Sequence, residues 1–123
     1  EDVPQQKVRT AFYPCDNVSL ELLEPMDGES PIAKFLGKRG EGFHHVAFEV
    51  DDVRAELSRL AGLGVELIDK VPRTGAHNTQ IAFLHPRSTR GLLVELVERP
   101  KLVEQPKEGS LKARMRAAAR ETL

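Results

Sequence analysis

The chain lacks most features that would mark an exported, membrane-spanning or nucleic-acid-binding protein. Its 123 residues include a single cysteine, Cys15, so no disulfide can form within it. Chains without disulfides are typical of reducing compartments. No apolar run approaches the ~18 residues that span a bilayer. Lys and Arg number 18 against 19 Asp and Glu, and no overall charge attracts nucleic acid or an anionic membrane. We expect one soluble domain in a cytoplasm-like compartment, with neither kind of partner.

The C-terminal residues 99–123 differ in composition from the rest of the chain. They hold 7 Lys and Arg against 3 Asp and Glu. Pro100, Pro106 and Gly109 favour a linker, and Ser110 is suited to N-cap a short helix that ends at Leu123. We interpret residues 99–123 as a basic tail that packs on the body or extends into solvent, with binding of a phosphate-bearing partner as the alternative.

A hairpin-like pattern occurs twice in the chain. Residues 11–14 (AFYP) followed by 20–25 (LELLEP) reappear as residues 82–86 (AFLHP) followed by 94–100 (VELVERP). Each copy has a strand-like run, a turn containing proline and a second apolar run with one carboxylate at its centre, Glu21 or Glu95. This internal repeat predicts two β-hairpins. Their predicted strands are Val8–Tyr13, Val18–Leu23, Thr79–Leu84 and Leu92–Val97.

The residues between the hairpins predict two helices and two further strands. Ser30 is suited to cap a short helix that ends at Gly40. A strand over Phe43–Val50 precedes a helix capped by Asp51 or Asp52, and Val65–Ile68 forms a short strand. The second half therefore has the order β-α-β-β-β, and the first half has the last two strands of such a unit. We expect an α+β fold with units at residues 1–40, 41–98 and 99–123.

Strand alternation separates the polar residues into two faces. It places His45 on one face with Ala47 and Glu49, and His44 on the opposite, apolar face. A carboxylate buried in an apolar strand needs a partner, and a metal ion is one. The matched glutamates Glu21 and Glu95, with His45 on a neighbouring strand, form a set of oxygen and nitrogen donors suited to a divalent cation. We interpret His44, His77 and His85 as packed or surface rings.

Several segments in this order resemble the methylmalonyl-CoA epimerases, a family of the vicinal oxygen chelate, or glyoxalase-like, superfamily. The resemblance covers about residues 3–98. The segments that carry it are LELLEP at 20–25, SPIAKFL at 30–36, GFHHVAFEVD at 42–51, FLHP at 83–86 and GLLVEL at 91–96.

The resemblance implies a fold in which paired βαβββ modules surround one divalent metal. It assigns His45, Glu95 and Glu21 as ligands. The first module is incomplete at its N-terminal strand-helix-strand, so a matching fourth ligand, a histidine, would precede Glu1. Cobalt is the metal that we expect, with Mn²⁺, Zn²⁺, Ni²⁺ and Mg²⁺ as alternatives.

The resemblance also implies an isomerase of propionate metabolism that interconverts (R)- and (S)-methylmalonyl-CoA. It removes the proton at carbon 2 through an enolate that the metal stabilises, with Glu95 as one acid/base. Some members carry a second catalytic glutamate near the position of Thr10, so the partner of Glu95 stays open. We expect a homodimer, cytoplasmic or, in a eukaryote, in the mitochondrial matrix. The alternatives are a glyoxalase-like enzyme, an Fe(II) dioxygenase or a non-catalytic protein that binds small molecules.

Overall fold

A computed structural model describes residues 1–101, and within them it shows two β-sheets and two α-helices. The predicted helix between Ser110 and Leu123 lies outside the described residues. The strands are β1 (Asp2–Val3), β2 (Val8–Cys15), β3 (Val18–Pro25), β4 (Val46–Glu49), β5 (Arg73–Thr74), β6 (Gln80–Leu84) and β7 (Val94–Glu98). The helices are α1 (Pro31–Arg39) and α2 (Val53–Gly62). Neither helix is long and apolar enough to cross a membrane.

The first sheet contains the first predicted hairpin. Its order is β1-β2-β3, and both neighbouring pairs are antiparallel. Cys15 pairs with Val18 across a two-residue turn in which Asp16 has a φ of 59°, a left-handed conformation that Asp tolerates well. Strand β1 is not among the predicted strands. The first half therefore supplies three strands of a module instead of two.

Helix α1 begins and ends where the sequence predicts. The Ser30 side chain caps it, because its Oγ accepts a hydrogen bond from the Ile32 backbone N–H at 3.2 Å. Gly40, with a φ of 68°, ends it. Ile32 is buried with Val3 and Val8 in a small core, so α1 packs on the first sheet.

The second sheet has the order β4-β7-β6-β5. β4 and β7 are parallel, and the other pairs are antiparallel. Asp52 caps α2 by accepting from the Ala55 backbone N–H at 3.1 Å, and Glu98 accepts from the Val53 backbone N–H at 2.8 Å. One face of the sheet packs against α2 in the main core. The buried residues of this core are Val53, Leu57, Ala82, Leu84, Val94 and Leu96. The predicted order β-α-β-β-β is thus confirmed for the second half.

The prediction of a strand at Val65–Ile68 is wrong, since only Leu67 forms a bridge there, to Leu84. A side chain interrupts the ladder: the Asp69 carboxylate accepts from the Phe83 backbone N–H at 2.8 Å. The Phe83 carbonyl accepts from the backbone N–H groups of Ile68 and Asp69 at 3.0 and 3.2 Å. The second strand of the module is therefore β5, at Arg73–Thr74.

The two hairpins differ in how their outer faces are covered. On the first hairpin, Tyr13, Leu20 and Leu22 are exposed to between 57% and 60%. Their counterparts in the repeat, Leu84, Val94 and Leu96, are buried in the core against α2. Among residues 1–101 neither helix covers the outer face of the first hairpin in this way.

Candidate metal centre

Three strands position the candidate ligands on one surface. Glu21 lies at the centre of β3, Glu95 lies in β7, and His45 immediately precedes β4. Glu21 is directly opposite Phe12, and Glu95 is directly opposite Phe83. Because directly opposed residues of antiparallel strands share a face, each glutamate has a phenylalanine beside it. Ala47 pairs with Glu95 in the parallel ladder, and His45, one residue before β4, directs its ring to the same face as Glu95.

The structure brings the donor atoms of His45, Glu21 and Glu95 together. The Nε2 atom of His45 lies 3.2 Å from Oε2 of Glu21 and 2.9 Å from Oε2 of Glu95. All three donor atoms lie within 4.8 Å of one another, and no other such group of His, Cys, Asp and Glu occurs in residues 1–101. The side chains are exposed by 9%, 23% and 12% respectively, so solvent reaches the group only in part.

The environment of His45 favours positive charge at this point. Burial disfavours the charged ring, but hydrogen bonds to Glu21 and Glu95, together with their negative charges, raise the pKa of His45 to about 9. Two carboxylates and one imidazolium leave a net negative charge in a partly desolvated place. The group therefore attracts a cation of higher charge.

The donor set and its spacing fit a divalent metal ion. A ring nitrogen offers one proton or one lone pair, so the two carboxylates cannot both take a proton from Nε2. One cation, by contrast, can be coordinated by all three side chains at once. Two ligands at ~2.1 Å and about 90° from one ion are separated by about 3.0 Å, and the distances of 3.2 and 2.9 Å from Nε2 are close to this value. Glu21, His45 and Glu95 could thus hold one metal ion.

His44 occupies a different position from the one that alternation predicts. Its ring is turned toward His45, with the two Nδ1 atoms 2.9 Å apart, and does not lie on the opposite face. Regular strand geometry begins only at Val46, so the alternation rule does not extend back to His44. The ring packs edge-on against Phe35 at a centroid distance of 5.0 Å. Burial, and next the charge of His45, lower the pKa of His44.

The other histidines and Glu49 stay outside the group. His85 accepts a hydrogen bond from the Arg87 backbone N–H at 3.1 Å and so caps a short 3₁₀ turn. The His77 ring lies 4.8 Å from the ring of Phe12. Glu49 is exposed and pairs with Arg99 at 3.4 Å.

The predicted site does not include Phe12, Phe83 or Thr10 beside the candidate ligands. The repeat contained a signal for the two phenylalanines, because they are matched residues of the duplicated strands. The ring of Phe83 meets the ring of His45 edge-on at 5.9 Å. Thr10 is 4% exposed, and its hydroxyl has no hydrogen-bond partner among the described residues. The Phe83 ring therefore borders the charged group, and by strand register Thr10 and Phe12 lie on the same face of the first sheet as Glu21.

The amino-acid sequence matches a known superfamily and several curated proteins. Residues 1–83 match the profile of the Glyoxalase/Bleomycin resistance protein/Dioxygenase superfamily. Uncharacterized protein YqjC of Bacillus subtilis is 47% identical over 98 residues, which are 80% of this chain and 70% of that protein. The mitochondrial methylmalonyl-CoA epimerase of Dictyostelium discoideum is 43% identical over 93 residues, 75% of this chain and 56% of that one. The ethylmalonyl-CoA/methylmalonyl-CoA epimerase of Cereibacter sphaeroides is 40% identical, covering 78% and 73%.

Solved structures show the same likeness in three dimensions. Methylmalonyl-CoA epimerase from Mycobacterium tuberculosis superposes with a TM-score of 0.78 and 38% identity, over 82% of this chain and 69% of that one. A methylmalonyl-CoA epimerase in complex with methylmalonyl-CoA and NH₄⁺ gives a TM-score of 0.74 and 38% identity, covering 86% and 77%. The expected α+β fold of βαβββ modules is confirmed.

Proposed function

The chain belongs to the Glyoxalase/Bleomycin resistance protein/Dioxygenase superfamily and is related to methylmalonyl-CoA epimerases, and from this membership we propose that it is a metal-dependent methylmalonyl-CoA epimerase. The observation that carries the proposal is that donor atoms of Glu21 and Glu95, from two matched hairpins, and of His45 lie within 4.8 Å of one another. We propose these residues as the ligands of one divalent cation, with cobalt expected. The substrate is proposed from the relatives that bear the activity in their names.

Removal of a proton from the proposed substrate needs a group that stabilises negative charge. The proton on carbon 2 of methylmalonyl-CoA lies between a thioester and a carboxylate, and its removal places negative charge on the thioester oxygen. A divalent cation bound at the three side chains would supply a Lewis acid for that charge, an effect of several kcal/mol. The Phe83 ring, edge-on to His45 at 5.9 Å, gives the group an apolar wall that limits access of water and strengthens electrostatic interactions there.

We propose Glu95 as one of the two acid/base groups. A carboxylate has two oxygens, so Oε2 can remain beside His45 while Oε1 accepts the proton from carbon 2. Inversion also needs a proton donor on the other side of the carbon, within ~2.6–3.2 Å of it or one water away. The family resemblance puts Thr10 near the position at which some members carry a second catalytic glutamate, and a hydroxyl does not titrate in the neutral range.

Exchange with solvent deuterium tests the proposed reaction. The protein, loaded with Co²⁺, is incubated with methylmalonyl-CoA in D₂O, and loss of the carbon 2 hydrogen is followed by NMR. We expect exchange that stops when a chelator removes the metal. A hemithioacetal of methylglyoxal and glutathione, and a catechol with Fe²⁺ and O₂, serve as comparison substrates. Turnover of either in place of exchange would assign the chain to a glyoxalase-like or dioxygenase reaction. Tight binding of the thioester without exchange would assign it to a binding role.

A further inference from the structure

The side chains of two consecutive histidines contact each other through their Nδ1 atoms. The Nδ1 atoms of His44 and His45 lie 2.9 Å apart, and the two rings are nearly perpendicular, at 87°. Consecutive residues in a regular strand point to opposite faces, so this contact exists only because the pair precedes the start of β4 at Val46. The backbone before β4 thus allows a contact that a regular strand excludes.

A hydrogen bond between two ring nitrogens needs one proton and one lone pair. Nε2 of His45 faces Glu21 and Glu95, and it can coordinate a cation only through its lone pair. In the neutral ring the proton is then on Nδ1. Nδ1 of His45 must therefore be the donor, and Nδ1 of His44 must be the acceptor.

The His44 ring is held in place independently of the proposed ligands. It lies edge-on against Phe35 of α1, with ring centroids 5.0 Å apart and planes at 74°. Phe35 is itself covered by the guanidinium group of Arg39, at 5.6 Å from the ring centroid. Because α1 is capped at both ends, the acceptor atom is supported by a defined helix that connects the first hairpin to the second module.

We propose that His44 is a positioning residue, whose Nδ1 accepts a hydrogen bond from the Nδ1–H of His45 and thereby holds the His45 ring in the tautomer and orientation that present Nε2 to the cation. The inference rests on the proposed metal site. Removal of a hydrogen-bond partner of a histidine ligand typically costs ~10–100-fold in metal affinity. His44 acts through His45 and does not touch the cation.

Two variants of His44 and one control variant at His85 test the proposal by metal affinity, measured by competition with a chromophoric chelator for Co²⁺. His44→Phe keeps an aromatic ring against Phe35 but has no acceptor, and we expect a ~10–100-fold loss of affinity. His44→Asn supplies an amide oxygen at a similar position, and we expect most of the affinity to return. His85→Phe removes a histidine away from the group and should leave the affinity unchanged.

The outcomes separate this inference from the proposed site. Equal affinity in the unmodified chain and His44→Phe would overturn the role of His44 alone. No binding by the unmodified chain would overturn the metal site itself. Should His44→Phe fail to fold, ¹⁵N NMR of the unmodified, Co²⁺-free and Zn²⁺-loaded chain decides. A protonated Nδ1 on His45 and an unprotonated Nδ1 on His44 in the loaded form support the proposal, and the reverse assignment would overturn it.

Discussion

Glu21 and Glu95 differ from an ordinary strand glutamate in what their carboxylates face. Glu49, on the same face as Glu95, is exposed and pairs with Arg99 at the surface. Glu21 and Glu95 instead direct an oxygen at one imidazole nitrogen, and the Phe83 ring packs edge-on against that imidazole. Two carboxylates that share one histidine with so little exposure are a costly arrangement unless a cation joins them.

Glu95→Gln isolates the contribution of charge and basicity at this position. The substitution keeps the shape of the side chain and an oxygen, but it removes the negative charge and the proton acceptor. We expect carbon 2 exchange of methylmalonyl-CoA to fall by ~10²–10⁴-fold, the typical effect of a lost general acid/base. Glu49→Gln is the matched control and should change exchange little. Equal exchange rates in Glu95→Gln and the unmodified chain would eliminate the proposed role of Glu95.

The raised pKa of His45 predicts that metal binding is coupled to proton release. When no cation is bound, the ring stays protonated up to about pH 9. A metal ion must displace that proton, so apparent affinity should rise about tenfold per pH unit below pH 9 and level off above it. Calorimetry at pH 7 in buffers of different ionisation enthalpy should report release of about one proton. A metal affinity that does not change between pH 6.5 and 8 would show that the metal ion does not displace a proton from His45.

Strand alternation predicted that His45 and Glu95 share a face, and the structure places their side chains in contact although His45 lies one residue before β4. Glu21 lies on another sheet, and only the repeat connected it to Glu95. The position of His44 could not be predicted, since it depends on an irregular backbone before Val46 and on Phe35 of a helix distant in sequence. Local periodicity contains no information about such contacts.

At the level of elements, the segment that joins β5 to β6 depends on a close approach of backbone to side chains. A Cβ atom at Gly75 would lie 2.7 Å from Cγ2 of Ile81 and 2.7 Å from Oγ1 of Thr79. Both neighbours are buried, and the Gly75 N–H donates to the Thr79 carbonyl at 3.0 Å. This turn therefore sets where β6, which pairs with β7 and so with Glu95, begins.

Two glycine substitutions should have opposite effects on stability. Gly75→Ala introduces an overlap in a packed turn, and we expect a loss of ~1–3 kcal/mol in the free energy of unfolding. Gly37 lies at an exposed position of helix α1, and no atom lies within 4 Å of a Cβ added there. For Gly37→Ala we expect a gain of roughly 0.5–1 kcal/mol in the free energy of unfolding. Urea unfolding of both variants measures this. An unchanged free energy of unfolding in Gly75→Ala would show that the turn can shift to accommodate the added methyl group.

Elements with strong local signals were predicted well, and those that depend on long-range contacts were not. Ser30 and Asp52 cap the helices as their positions indicate. The prediction of a strand at Val65–Ile68 was wrong because the Asp69 carboxylate, and not a backbone carbonyl, accepts the hydrogen bond from the Phe83 N–H. The two-residue strands β1 and β5 are too short to give a periodic pattern.

At the scale of the whole molecule, the outer face of the first hairpin predicts association. Tyr13, Leu20 and Leu22 expose an apolar surface, and among the described residues β3 pairs only with β2, so its other edge is free. Exposed edges and apolar faces favour pairing with another chain.

We expect sedimentation velocity at micromolar concentration to show a homodimer. Leu20→Lys should weaken association, because it places a charge in the centre of the apolar surface. Leu63→Lys, at an exposed position after α2, is the control and should leave association unchanged. A stable monomer that shows no dependence on concentration would contradict the prediction.

The central claim is that Glu21, His45 and Glu95 hold one divalent cation, and anomalous diffraction from a crystal soaked with Co²⁺ tests it most directly. We expect one anomalous peak at ~2.0–2.3 Å from Nε2 of His45 and from a carboxylate oxygen of each glutamate, lengths typical of divalent metals with such ligands. A cobalt peak elsewhere on the molecule, with these three side chains still in contact only with one another, would contradict the claim.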